Sequence, residues 1–223
     1  TYTYKISNDC VTERIGDDKY TDVAPTTSTT RVGRFYPNSS GTCSMVNTSD
    51  PEVNSIQPLS NDKTMLKRRI DKLALAGSTA GQLGTAWAWY LLSPNWNSLF
   101  PTASAAASYT ASKNKKIAVL MTDGDYNTEY WNGVEAKTSY NGRANYNPSN
   151  GASETQAPAL CTAMKAKGIE VYTVGFQVSS AAKTLLKGCA TDESHYYDAT
   201  SGEALRQAFR DIALKISTLR LSQ

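Results

Sequence analysis

The sequence predicts an α/β domain built on a mostly parallel sheet, and two short stretches carry that expectation. Ile117 to Met121 is a run of five apolar residues between two lysines and the polar turn Thr122-Asp123-Gly124-Asp125. Ile169 to Phe176 is a second run, rich in apolar and β-favouring residues. Such runs read as strands buried on both faces, the state of a central parallel strand. Helical apolar spacing surrounds them, and strands alternating with helices give βαβ units. In open α/β sheets ligands sit outside the carboxyl ends of the strands. Asp123 therefore falls where carboxylates commonly hold metals or phosphates, the alternative being that Asp123 and Asp125 merely open a loop, and Gly124 permits the sharp exit from the strand.

Taken in order, residues 1–58 differ from the rest. Thr, Ser, Asn, Asp, Gly and Pro dominate, and apolar periodicity is weak. Tyr2, Tyr4 and Ile6 alternate and predict one strand. Composition this polar buries too little surface to stand alone, so 1–58 is expected to be a disulfide-stapled excursion belonging to a single domain whose regular part spans 59–223. Ser60 or Asn61 caps an expected helix with Leu66, Ile70 and Leu73 on its apolar face. A second helix places Leu83, Ala86, Trp87, Tyr90 and Leu91 on one side and stops at Ser93-Pro94. Trp87, Trp89 and Trp96 are expected in the core, the alternative being a binding surface. Residues 95–114 read as a loop.

Beyond Asp125 a second polar stretch runs to Gly151. Ser153-x-x-Gln156 has the form of a capping box opening a helix through Leu160 and Met164, and Gly168 is its expected stop. After the second strand come a short helix near Ala181 to Leu186 and a brief strand at Tyr196-Tyr197. Thr200-x-x-Glu203 is expected to cap the last helix, whose inner face reads as Leu205, Phe209, Ile212, Ile216 and Leu219. The lone His195 reads as a surface residue before the third strand.

The 223 residues carry a net charge of +3, too slight to imply a nucleic-acid partner or an anionic membrane surface. No apolar run has the length needed to cross a bilayer. None of the four cysteines sits in a Cys-x-x-Cys pair, and a single histidine leaves a zinc site incomplete. Four cysteines allow three pairings. The local one, Cys10–Cys43 with Cys161–Cys189, closes the shortest loops and is the expectation, with free thiols as the alternative. An even count in polar, loop-rich surroundings favours an oxidising compartment.

Gly77-Ser78-Thr79 ahead of a helix, Met121-Thr122-Asp123-Gly124 closing a strand, and Gly168 to Phe176 resemble, in that order and spacing, the von Willebrand factor A domain. More narrowly, Gly77 to Pro94 (GSTAGQLGTAWAWYLLSP), the Met121 to Gly124 element, and the ending from Cys189 through Tyr196-Tyr197 to Leu205 and Phe209 look like the TadE/TadG-like proteins of Tad/Flp pilus assembly. The resemblance extends from about Cys10 to the C-terminus. It implies a three-layer α-β-α, Rossmann-like fold. It also implies a metal-ion-dependent adhesion site for Mg²⁺ or another divalent cation, in which Thr79 and Asp123 match the family's threonine and aspartate and Ser78 and Asp125 are neighbours. The Asp-x-Ser-x-Ser part of that site is absent upstream of Gly77. The fold is therefore expected to be incomplete on its N-terminal side, as in the C-terminal portion of a longer, membrane-anchored protein. The 117–121 strand is then left with an open edge for a missing segment, a second copy or a rearranged Thr1–Ile6 strand to cover.

The function implied is a non-enzymatic interaction domain in adhesion or assembly of a pilus, periplasmic or extracellular, binding protein partners of the pilus or cell envelope. Nucleic acid is not an expected partner, and membrane contact is expected only through a segment outside this chain. A purely structural, metal-free scaffold is the main alternative. Asp123-x-Asp125 also has the spacing of the haloacid-dehalogenase-like phosphatases, with Asp123 as nucleophile and Asp125 as acid/base, but the threonine comes one residue late, at Thr128. A calcium loop on Asp123, Asp125 and Asn127 is weaker, since Thr128 and Val134 replace its glycine and glutamate.

Overall fold

The computed structural model describes residues 10–36, 50, 52, 55–73, 78–140, 142 and 144–221. In chain order the elements are β1 (Val11–Thr12), β2 (Gly33–Arg34), α1 (Lys63–Asp71), α2 (Gly81–Leu92), β3 (Ile117–Thr122), β4 (Tyr130–Trp131), β5 (Val134–Glu135), α3 (Ser153–Ala166), β6 (Glu170–Phe176), α4 (Ser180–Cys189), β7 (Tyr196–Ala199) and α5 (Gly202–Leu221). The expected Thr1–Ile6 strand and Gly77 lie outside the described residues.

Both apolar runs form strands, and with β7 they make a parallel sheet in the order β3-β6-β7. Ile117 to Thr122 pair with Glu170 to Gly175, and Thr173 to Phe176 pair with Tyr196 to Ala199. Alternate residues of β6 face opposite layers, as a period of two requires. Val171 packs with Ala118 and Leu120 of β3 against Trp89 and Tyr90 of α2 and Leu160, Cys161 and Met164 of α3. The Thr173 hydroxyl donates to the Leu186 carbonyl of α4. Tyr172 and Val174 turn the other way, onto Ala208 and Ile212 of α5. Helices thus cover both faces, giving the three-layer α/β architecture. Each fully buried Val or Leu here contributes about 1.5–3 kcal/mol of transfer free energy.

β6, not β3, is the strand buried on both faces. Among the described residues β3 pairs with β6 alone, and its second face leaves Val119 39% and Met121 45% exposed. The sequence pattern of β3 is that of a central strand, yet α5 lies over β6 and β7 and does not reach these two side chains.

Cys161 and Cys189 form the expected disulfide, joining α3 to the end of α4 with 5.0 Å between Cα atoms. The Cys10–Cys43 pairing falls on Cys43, outside the described residues.

Several local expectations differ from the fold. α1 forms, but Ile70 and Leu73 are exposed; the helix is held by its charged side, where Arg68 and Lys72 grip Glu52 and Arg69 bonds Gln57. The inner face of α2 is rotated to Gln82, Thr85, Ala86, Trp89 and Tyr90. Residues 95–114 begin with two short 3₁₀ turns, Pro94–Leu99 and Thr102–Ser104. Ser153 is the first residue of α3 and not its cap, because its hydroxyl and the Gln156 amide are engaged in a buried network. Gly168 does end that helix, at φ +76°. At α5 the cap is Ser201, whose hydroxyl accepts from Ala204 N–H at 3.2 Å. Phe209 is exposed while Ala208 is buried, and the side chain of Leu219 lies outside the described residues. His195 is half-buried, its two ring nitrogens 2.7 Å from Asp192 and 2.9 Å from Glu170, with its ring over Tyr172.

The excursion residues 10–36 lie against the α2 and α3 layer. Arg14, 1% exposed, donates to the carbonyls of Thr21 and Val23. Its guanidinium lies 5.3 Å and 5.0 Å from the rings of Tyr90 and Trp96, which stack on each other. One oxygen of buried Asp22 accepts from Ser93, Asn95 and Tyr109, and its carbonyl accepts from the Trp96 indole. Burial and the Asp22 carboxylate push the Tyr109 hydroxyl up to about 12.

Candidate functional site

The site is assembled where β3 and β6 end, from three segments. The first is the β3 exit. Thr122 Oγ1 donates to the Gly124 carbonyl at 2.9 Å and accepts from Gly124 N–H at 3.2 Å, closing the turn that carries Asp123. The second is the stretch before α2. Asn127 Oδ1 accepts from Thr79 N–H at 2.9 Å, while Asn127 N–H donates to the Thr79 carbonyl at 3.0 Å. That two-way clamp brings Thr79 beside the turn: its Oγ1 is 3.6 Å from where a Cβ on Gly124 would sit. The third is the start of α4. Ser179 caps α4 by accepting from Ala182 N–H at 3.2 Å, and its hydroxyl donates to Asp125.

Tyr126 is the wedge between these segments. Its ring is buried because Gly81 has no side chain; a Cβ there would lie 2.2 Å from the ring. Burial raises the Tyr126 hydroxyl above its usual value, with a hydrogen bond involving Thr85 opposing.

Two grooves flank Tyr126. One, about 420 Å³, lies beside β3 and α2 and is lined by Ser78, Thr79, Gly84, Ala88, Met121 and Thr122 among others. The other, about 810 Å³, lies between the 125–129 stretch, the start of α3 and α4, with Asp125, Glu129, Glu154, Pro158, Ala181 and Leu185 in its wall. Asp123 is exposed at the rim and lines neither groove.

A buried polar layer supports the second groove from behind. Gln82 donates to the Thr128 carbonyl at 2.9 Å and accepts from the Ser153 hydroxyl. Ser139 donates to the Glu129 carbonyl at 2.6 Å. Glu13 reaches in from the excursion to accept from Tyr130 N–H at 3.0 Å and from Gln156 at 3.5 Å. Its second oxygen has no hydrogen-bond partner among the described residues. Burial pushes the Glu13 carboxyl above its ordinary value, against those hydrogen bonds.

Thr79, Ser78, Asp123 and Asp125 thus belong to one end of the sheet. A hard divalent cation takes about six to eight oxygen ligands, anionic ones prominent among them. Asp125 is turned to Ser179, and among the described residues no three His, Cys, Asp or Glu side chains gather to hold a metal. These residues do not fit a divalent site by themselves. Sequence reasoning passed over Tyr126, Ser179 and the clamping role of Asn127. A capping signal was present at Ser179, ahead of the Ala-rich start of α4; Asn127 was marked only by the spacing of the weaker calcium-loop pattern, and nothing local marks Tyr126.

No protein-family model matches the chain, and no curated protein matches it. Solved structures with similarity to it include the pilus adhesin SpaC of Lactobacillus rhamnosus GG. One form gives TM-score 0.47 and 19% identity over 69% of this chain and 21% of SpaC. The open conformation gives TM-score 0.45 and 17% identity over the same shares. Proximal thread matrix protein 1 of the mussel byssus gives TM-score 0.36 and 17% identity over 67% of this chain and 28% of that one. The chain spans about a fifth of the length of SpaC. Likenesses of this size carry no argument about function, which rests on the residues themselves.

Proposed function

We propose that this chain is a von Willebrand factor A-like interaction domain of the TadE/TadG-like kind. In this reading it acts without catalysis in the adhesion or assembly of a Tad/Flp-type pilus, in the periplasm or outside the cell. A protein of the pilus or envelope docks where β3 and β6 end. The observation that carries the reading is the convergence there of Thr79, the 122–127 turn and the start of α4 around two grooves. The motif set from Gly77 to Phe209 supplies the family, and the Cys161–Cys189 disulfide fits an oxidising compartment. No helix of the described residues is long and apolar enough to cross a membrane, so membrane anchoring is assigned to a segment outside them. The test is a photo-crosslinking amino acid placed at Ala181 or Thr184 in cells assembling the pilus, with Lys113 at the far end of β3 as control. Crosslinks to a pilus or envelope protein from the groove positions alone support the reading; none, or equal crosslinks from Lys113, overturn it.

A metal-assisted version is favoured by one observation, the approach of Thr79 to the Asp123–Gly124 turn. Mg²⁺ would there take Thr79 and Asp123 together with oxygens from outside the described residues. Calorimetry with Mg²⁺ and Mn²⁺ on the protein and on Asp123→Ala separates the two versions. Heat lost in the variant supports the metal, and no heat from either protein leaves the metal-free one.

A further inference from the structure

We propose that the larger groove takes a basic segment of a partner protein, a Lys or Arg side chain entering with its aliphatic stem on the groove floor. The inference rests on the interaction-domain reading and names the chemistry of its partner. The apolar part of the lining is made of small or compact side chains, Ala152, Pro158, Ala181, Ala182 and Leu185, together with Tyr126. Its charged lining is of one sign: Asp125 and Glu154 are exposed, and Glu129 is buried and accepts from the Thr138 hydroxyl, in a chain whose net charge is +3.

Two of the protein's own cations near the groove are held away from it, and a third sits at its margin, since Gly188 is part of the lining. Lys183 of α4 pairs with Asp198 at 2.7 Å, and Lys187 lies over the ring of Tyr196 at 5.4 Å. Lys165 of α3 donates to the carbonyls of Gly188 and Ala190. The groove wall also includes the N-terminal ends of α3 and α4. A helix N-terminus is worth about half a positive charge, so three carboxylates against two such ends and the Lys165 ammonium at Gly188 leave the groove about one charge negative.

Among the described residues the groove carboxylates do not gather as a metal-holding group. Lys and Arg are suited to the floor because their methylene stems cover apolar surface while the charged head stays at the rim. The volume of about 810 Å³ falls in the range of clefts that take a drug-sized ligand, room enough for one long side chain and its flanking backbone.

The test uses the intact protein and blocked single amino acids as probes, followed by amide chemical-shift mapping. N-acetyl-arginine methylamide and N-acetyl-lysine methylamide are titrated, with N-acetyl-glutamate methylamide as the control. Shifts are expected at 125–129, 138, 152–158 and 181–188 with the basic probes alone. The exposed change Glu154→Gln, and Asp125→Asn with any disturbance of its Ser179 contact read from the spectrum without probe, are each expected to weaken binding about twofold to fivefold, the size of an exposed charge pair. Raised salt weakens it further. No shifts with the basic probes, equal shifts with the acidic one, or shifts unaffected by both substitutions overturn the proposal. Envelope crosslinks from Thr184 in that case leave the docking reading intact and remove only the basic partner.

Discussion

Removing the Cys161–Cys189 disulfide should cost more than any surface change in this chain. The bridge closes a separation of 28 residues, for which the loop-entropy relation gives about 12 cal/mol/K, or ~3.6 kcal/mol at 25 °C. Both cysteines are fully buried between α3 and α4, so a Cys161→Ala/Cys189→Ala double variant also loses packing around two sulfur atoms, about 1 kcal/mol more. For a chain of 223 residues the sum corresponds to a fall of roughly 9–18 °C in Tm. Urea unfolding followed by tryptophan fluorescence measures it directly, because Trp89 and Trp96 are buried in the same core. The slope against urea should hold or rise, since the denatured chain loses a crosslink. A loss below about 1 kcal/mol would show that the denatured state already holds α3 and α4 together, and would refute the loop-entropy reasoning.

Three other outcomes follow from the same geometry. Gly81→Ala drives a Cβ into the Tyr126 ring and should cost about 1–3 kcal/mol, with amide shifts at Thr79 and Asn127 showing that the wedge has moved. Glu13 is raised above its ordinary 4.5 by burial; its contribution is fully present below that value and is lost as pH rises through the raised folded value, at about 1.4 kcal/mol for each tenfold difference in proton affinity between the folded and unfolded chain. Glu13→Gln should therefore gain stability relative to the parent as pH rises from about 4 to 8, and a pH-independent difference would contradict the buried-carboxyl account. Val119→Lys and Met121→Lys should each change stability by less than about 0.5 kcal/mol if the second face of β3 stays open, whereas a loss of several kcal/mol in thermal melts would reveal a cover over it.

The parts of the fold written in local pattern were legible. Both apolar runs became parallel strands, Gly168 ended α3, and Trp89 and Trp96 went to the core, because periodicity and glycine conformation act within a few residues. The rest depends on neighbours distant in sequence. Nothing in Ile117 to Met121 distinguishes a central strand from one with a bare side; only the reach of α5 decides it. Charged residues are rarely buried, so Glu13 and Arg14 gave no sign of lying under the excursion. Their partners, Tyr130, Gln156, Tyr90 and Trp96, are 76 to 143 positions away. His195 looked like a surface residue because Glu170 meets it from 25 positions upstream. At the candidate site, Asp123 and Thr79 were marked by motif, while the Asn127 clamp holding Thr79 in place carries no motif of its own.

The two neighbouring charged residues of the excursion, Glu13 and Arg14, act with Asp22 as a keystone that seats the excursion on the α2 and α3 layer. Glu13 leans on the layer behind the larger groove, and Arg14 plugs the stacked rings of Tyr90 and Trp96. Trimming the polypeptide back to its regular α/β part would therefore strip both supports at once. Gln82, Gln156 and two aromatic rings would then be laid open to solvent. The low-complexity look of this segment thus conceals a brace, and a minimal version of the domain has to start ahead of Glu13.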